Sequence, residues 1–295
     1  ILVECPSDGD ECASKDDHWE GSQSEKKVDV SRPTAVVEGG KIYMLVGNYS
    51  QTAVAQESGA EDSGILLVKG DVSQNGDTDN KIKWENANDV LRASLGAQLK
   101  SWTQLTGGGG LGVKMKDDTL VFPVEGTKKI QKNAEPEKNE KAVSLIIYTL
   151  SDTTTLTLSK GMSDDGCGDP SVVEWKDKLM MMTACDGGRR RVYESGDKGE
   201  SWTEALGTLS RVWVNSTENE KSFRSGFTTA TFGEENVQKN VMLITLPIYP
   251  EEVKENNGKG KLHLWLTDNT HIVDIGPVPG NDDAAASSLL YKSAK

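Results

Sequence analysis

The feature that most constrains this chain is a two-strand phrase that recurs along it. A short apolar strand follows a Gly/Asp/Lys turn, and a second apolar strand then ends in a polar turn. The phrase runs at residues 39–46 with 64–72, 117–124 with 143–151, 177–183 with 190–195, and 240–246 with 261–268. Strand character rests on β-branched and aromatic content, as in Lys41-Ile42-Tyr43-Met44-Leu45-Val46 and Val143-Ser144-Leu145-Ile146-Ile147-Tyr148. A unit of this size buries its faces only against its neighbours, which predicts an all-β propeller of stacked blades. Four repeats are present, and Ser287-Ser288-Leu289-Leu290-Tyr291 reads as the start of a fifth. A six-bladed ring is not closed by this chain alone.

One turn stands out. Ser195-Gly196-Asp197-Lys198-Gly199-Glu200-Ser201-Trp202 follows the strand-like run 190–194. Its spacing suits a tight hairpin in which the Asp and Ser side chains bond the turn's N–H groups and Gly199 takes a backbone conformation other residues resist. Trp202 is then expected to fold beneath the turn as an apolar plug. Ser195, Asp197, Gly199, Ser201 and Trp202 are therefore read as scaffolding.

Composition excludes several classes. A formal net charge of −13 repels phosphates and argues against nucleic-acid binding; Arg189-Arg190-Arg191 is too short to reverse it. The longest apolar run, near residues 241–248, falls well short of the roughly 20 residues that span a bilayer. Four cysteines fall as two close pairs, Cys5/Cys12 and Cys167/Cys185. Neither is a CxxC and the histidines lie far off, so two local disulfides in an oxidising compartment are read in preference to zinc, and no metal or cofactor is expected. Sequons at Asn48 and Asn215 agree with a secreted or surface setting. The chain opens at Ile1 without a signal sequence and reads as an internal piece of a longer protein.

Other stretches are less regular. Residues 1–28 form an acidic, Cys-bearing excursion, whose acidic run is read as solvated. Residues 128–141 read as an exposed charged loop, and 89–99 as a short helix or a loop. Gly107-Gly108-Gly109-Gly110-Leu111-Gly112 lacks the Gly-Lys-Ser/Thr of a phosphate loop, so it reads as a turn where backbones pass closely.

Several whole phrases then fit one family. They are Val30-Ser31-Arg32-Pro33-Thr34, residues 41–47, Gly166-Cys167-Gly168-Asp169-Pro170, residues 189–202, Gly207-Thr208-Leu209-Ser210-Arg211-Val212-Trp213, and Leu264-Trp265-Leu266-Thr267-Asp268-Asn269. Together they resemble the trypanosomal trans-sialidase superfamily, in particular its surface-glycoprotein branch without evident catalytic activity. The likeness implies an all-β, sialidase-type six-bladed propeller, here truncated to about four blades and part of a fifth. Residues 1–295 would form one partial domain, lacking the first part of the propeller and a C-terminal lectin-like domain.

Active members of that family are retaining glycosidases with a tyrosine nucleophile. Three arginines grip the sialic-acid carboxylate, a glutamate activates the tyrosine, and an aspartate is the acid/base. A carboxylate calls for bidentate, permanently charged donors, and a phenol needs a neighbouring base. By the resemblance, the first arginine and the acid/base lie upstream of Ile1. The glutamate falls on Asp169, one methylene shorter. The second arginine falls on Ala184, the third near Lys259, and the nucleophile on Ala286; Tyr291 corresponds to a non-catalytic position. Arg32 stands where active members have a sugar-contacting aspartate, and Glu125 where they have glutamine. The aromatic acceptor pair has no counterpart in residues 51–57. At Arg32 and Asp169 a solvated blade-edge charge and a plain turn residue are equally open readings.

Three functions follow. The first is a non-catalytic surface glycoprotein that binds host or matrix glycoproteins and glycans in adhesion or immune display, outside the cell and anchored only through an absent C-terminal segment. The second is a sialidase or trans-sialidase working in spite of its substitutions, with water attacking directly and some cation replacing the one lost at Ala184. The third is a propeller whose likeness to sialidases is only architectural. That last reading requires Arg32, Asp169, Ala184 and Ala286 not to converge.

Overall fold

A computed structural model describes residues 30–50, 65–72, 82–85, 90–129, 141–150, 155–188, 190–205, 208–211, 224–233, 237–248, 260–280 and 286–291. Their strands form four consecutive sheets, antiparallel but for one short parallel pairing, the blades of a propeller. Blade one holds β1 (Thr34–Glu38) and β2 (Lys41–Val46). After β3 (Asn48–Ser50), which pairs into the next blade, it is completed by β4 (Leu66–Val72) and β5 (Ile82–Trp84). Blade two opens with a broken inner strand made of β6 (Trp102–Gly107), β7 (Gly110–Leu111) and β8 (Val113–Lys114). Of these, β6 and β8 pair with β9 (Leu120–Lys128), whereas β7 pairs in parallel with β1 of blade one; blade two continues through β10 (Ala142–Thr149) and β11 (Leu156–Leu158). Blade three is β12 (Cys167–Trp175), β13 (Lys178–Cys185), β14 (Arg190–Ser195) and β15 (Thr203–Glu204). Blade four is β16 (Gly226–Phe232), β17 (Lys239–Ile248), β18 (Lys261–Thr267) and β19 (Ile272–Pro277).

The recurring phrase of the sequence is the middle pair of strands in each blade: β2/β4, β9/β10, β13/β14 and β17/β18. Of these, β9, β10, β13 and β17 are apolar on both faces because the blade is covered on both sides, and the two-residue period sorts each strand between two neighbours. On β13, Leu179 and Met181 pack with Val121 and Ile146 of blade two, whereas Met180 and Met182 pack with Phe227, Met242 and Ile244 of blade four. On β9, Phe122 and Val124 face blade one and Val121 faces blade three. Each such side chain is essentially shut off from solvent, worth about 1.5–3 kcal/mol apiece. A one-residue slip of β13 would exchange the two faces.

Turns fix the registers. Gly39 and Gly40, both at positive φ, close the two-residue hairpin between Glu38 and Lys41, the geometry a right-twisted hairpin favours. Lys176 and Asp177 take the same left-handed conformation between β12 and β13 without a glycine. Helix α1 (Val90–Leu99) settles the helix-or-loop alternative for 89–99. Its Gln98 amide donates to the Leu158 carbonyl and accepts from the Leu158 N–H, which covers part of β11 at the blade's outer edge.

One expectation fails. Residues 286–291 form no strand among the described residues. They lie along blade four, where the Ser287 N–H donates to the Arg224 carbonyl and Ser287 Oγ accepts from the Gly226 N–H and the Thr245 hydroxyl. Among the described residues no strand pairs with them to give the ladder a fifth blade needs. Residues 1–28 and 51–57, and most of the loop expected at 128–141, fall outside the described residues, as do Cys5, Cys12, Asn215 and Lys259.

Candidate functional site

The innermost strands bring their leading ends to one mouth. Arg32 lies two residues ahead of β1, the glycine run separates β6 from β7, Asp169 sits early in β12, and Arg224 lies two residues ahead of β16. Two residue pairs, Thr34 with Gly110 and Ala35 with Leu111, join β1 and β7 in parallel at this point.

Glycine makes the convergence sterically feasible. A Cβ on Gly107 would strike the Arg32 carbonyl, one on Gly108 would come within 2.9 Å of the Pro170 carbonyl, and one on Gly109 would collide with Arg224 Nη1. Gly168 is under the same constraint, since its Cβ would meet Glu125 Oε2. The run is thus a crossing of backbones from three blades.

Arg32 is the hub of the charges. Its Nη1 donates to Glu125 Oε1 at 3.2 Å, and its Nη2 donates to Asp169 Oδ1 at 2.6 Å. Glu125 Oε2 in turn accepts the Asp169 N–H at 2.6 Å. The three side chains remain between a fifth and a third exposed. Arg32 and Asp169 both hold positive φ, 46° and 49°. For an arginine that is a strained backbone of the kind that gathers at functional sites. A register shift between Gly168 and Ser171 carries Asp169 out of the regular ladder and toward Arg32.

Ala184 stands opposite Gly168, the residue before Asp169, on the neighbouring strand, and its methyl donates nothing. Across from it on β14 is Arg190, which is buried and whose Nε donates to Ser225 Oγ at 2.8 Å. Ala286 is exposed beside Ser287, whose backbone is tied to Arg224. Arg32, Glu125 and Asp169 are therefore in direct contact, Ala184 lies opposite Gly168, and Ala286 precedes the residue whose N–H reaches the Arg224 carbonyl.

The described tyrosines are engaged elsewhere. Tyr291 donates its hydroxyl to the Thr231 carbonyl and lays its ring edge-on to Phe232. Tyr148 donates to Glu200, Tyr193 accepts the Asp164 N–H, and Tyr43 and Tyr49 pack against the core of the first two blades. Burial raises both the Tyr148 and Tyr193 hydroxyls above the ordinary phenol value.

Arg224 belongs to the site and carries no sequence motif. Its Nη1 donates to the Gly108 carbonyl at 2.6 Å, the same oxygen that Arg32 Nη2 approaches at 3.5 Å. Burial lowers the guanidinium below its ordinary value; the nearby Asp169 charge opposes that shift and Arg32 adds to it. The signal available in the sequence was positional: Arg224 stands before its inner strand as Arg32 stands before its own.

Around the mouth the scaffold is firm. A disulfide joins Cys167 to Cys185, directly opposed on β12 and β13 and flanking Gly168 and Ala184. In the Ser195–Trp202 turn, Ser195 Oγ accepts the Gly199 N–H, while Asp197 accepts both the N–H and the hydroxyl of Ser201. Those bonds, with the Ser201 hydroxyl foremost, hold the Asp197 carboxyl down to about 2. Trp202 packs beneath on the core between blades two and three. Asn48 lies within β3 opposite Thr106, with its Oδ1 shielded from solvent. Among the described residues no group of three His, Cys, Asp or Glu side chains gathers as a metal would need.

Comparison with known proteins agrees with this geometry. The family model described as a BNR repeat-like domain matches residues 1–295. A sialidase of Trypanosoma cruzi is 36% identical over 272 residues, covering 89% of this chain and 22% of that protein. Sialidase 85-1.1 of the same organism is 34% identical over 279 residues, covering 92% and 35%. Among solved structures, Trypanosoma rangeli sialidase in complex with 2,3-difluorosialic acid (a covalent intermediate) superposes with a TM-score of 0.69 at 34% identity, covering 89% of this chain and 40% of that one. The same sialidase in complex with sialic acid gives 0.68 at 33% identity, covering 89% and 41%. The chain thus spans between about a fifth and two fifths of these relatives.

Proposed function

The chain belongs to the trans-sialidase superfamily, its BNR repeat-like unit running through all residues, and from that membership we propose that it binds acidic glycans or glycoproteins at a cell surface without cleaving them. The observation that carries this reading is Ala286. By the family's pattern it holds the seat of the attacking phenol, and a methyl group forms no glycosyl bond. The ion pairs of Arg32 point the same way, because the Asp169 carboxylate that would activate a nucleophile is engaged by a guanidinium instead. The Cys167–Cys185 disulfide supports an extracellular setting. Adhesion to host or matrix glycoproteins, or display to an immune system, is the role such a binding surface serves.

A second reading keeps hydrolysis or transfer of terminal sialic acid. It is favoured by the names of the relatives, which are sialidases, and requires water to attack directly while another cation replaces the one absent at Ala184. Incubation of the intact protein with a fluorogenic sialoside separates the two. Release no faster than the buffer blank is expected; saturable release would overturn the binding-only reading and establish the second.

A further inference from the structure

The outer edges of the four blades are not finished alike. β5 and β11 are three residues long and β15 is two, and Gln98 of α1 covers part of β11. β19 runs for six residues at the rim of blade four, and among the described residues no strand pairs with its far side. In an antiparallel ladder alternate residues turn their N–H and C=O groups away from the partner strand, so such an edge is a template for one more strand. This edge is also apolar. Val273 and Ile275 are 52% and 57% exposed, and Val278 just beyond them is 39% exposed.

A hollow of about 400 Å³ opens beside the edge. Val241, Leu266 and Val273 are its apolar lining, and Lys239, Asp268 and His271 stand around it. Leu266 and Val273 are cross-strand partners and so share one face of the sheet. Asp274 is turned to the other face, where its carboxylate meets His263 Nδ1 at 3.0 Å. The edge is therefore apolar on one side, at Val273, and acidic on the other, at Asp274. A register shift beside Ile275 and the ring of Pro277 confine the regular template to residues 272–274. So short a ladder holds little by itself, and anchoring falls to the hollow.

We propose that β19 is a docking edge for an extended segment of a partner protein in which apolar and basic side chains alternate. The segment adds a strand beside β19, drops an apolar side chain into the hollow next to Val273, and sets a lysine or arginine across from Asp274. Charge disfavours a second copy of this chain as the occupant, because each copy carries a net charge of −13 and two β19 strands would bring acidic edges together. The edge lies on the rim of blade four, away from the inner strands that form the mouth, and its role does not depend on what the mouth binds.

The test is fluorescence anisotropy of a labelled peptide of alternating valine and lysine, titrated with the intact protein. Saturable binding is expected. Methylation of the peptide's backbone nitrogens, which keeps its side chains and charge, is expected to weaken binding by about tenfold or more. Val273→Lys removes the apolar lining and repels the peptide's lysines, and a loss of similar size is expected. Val37→Lys makes the same charge change at an equally exposed valine of blade one and is expected to leave binding unmoved. Hydrogen exchange at residues 272–277 of the wild type should slow when the peptide is added, a readout that needs no variant. Absence of binding, equal binding of the methylated peptide, or equal weakening by the two lysine variants overturns the proposal. A dimer in sedimentation that Val273→Lys dissociates overturns it too and assigns the edge to a second copy.

Discussion

Arg32 and Asp169, 137 positions apart in sequence, meet at 2.6 Å and link the first blade to the third across the mouth of the propeller. Glu125 of the second blade completes the triangle. Two carboxylates that share one cation are each stabilised by the other's partner, so the arginine cannot be removed without leaving two like charges together.

Arg32→Ala is accordingly expected to destabilise the protein by about 1–2 kcal/mol, less than a fully buried pair because all three groups keep solvent contact. Adding Glu125→Gln should recover part of the loss. Urea unfolding of the single and double variants measures the coupling; strict additivity would mean that the triangle contributes nothing.

Replacing the residue at the seat of the nucleophile is not expected to revive turnover. Ala286→Tyr leaves Asp169 engaged by Arg32 and leaves position 184 without a cation, and such groups act as a unit. Hydrolysis of a fluorogenic sialoside by Ala286→Tyr should remain at the blank.

Gly109→Ala brings a methyl into Arg224 Nη1 at a backbone φ of +74°, where an L side chain is strained. A loss of about 1–3 kcal/mol is expected in thermal or urea unfolding. The same change at Gly187, also at positive φ but in open space, should cost less because only the backbone term remains.

Asp197 supplies a pH signature. Its folded-state value of about 2 lies below the ordinary 3.8. The stability it contributes is therefore present above about pH 4 and is lost as the pH falls toward 2. Asp197→Asn should flatten that part of the stability-versus-pH curve, read by urea unfolding at pH 5 and pH 3.

Removing the disulfide by Cys167→Ala with Cys185→Ala opens an 18-residue loop. The chain-entropy model puts the loss at about 3 kcal/mol. Binding at the mouth should weaken as well, since the bond clamps the strands that carry Gly168 and Ala184. Melting temperature and glycan titration of the double variant read the two effects.

What the sequence made legible was the part of each blade that is buried on both sides. β9, β10, β13 and β17 announce themselves because both faces are apolar, and the Ser195–Trp202 turn because its bonds are local. The inner strands were missed: β7 and β8 are two residues each, and β12 is interrupted by its own irregularity at Gly168–Ser171. The run at 287–291 reads as a strand but pairs with none among the described residues, since pairing depends on what lies alongside. Arg32, Glu125 and Asp169 were picked out by resemblance, yet their mutual contacts were not, because ion pairs over such separations leave no pattern in a linear chain. Arg224 was overlooked for the same reason.

The neighbour of Ala286 has a consequence of its own. Ser287 is fastened on four bonds, its N–H to Arg224, its hydroxyl to the Gly226 N–H and to both the hydroxyl and the carbonyl of Thr245. None of them involves the side chain at 286, which faces solvent. The side chain at this corner of the propeller can therefore be exchanged while the architecture stays indifferent, so the surrender of a reactive group there leaves no trace in the fold.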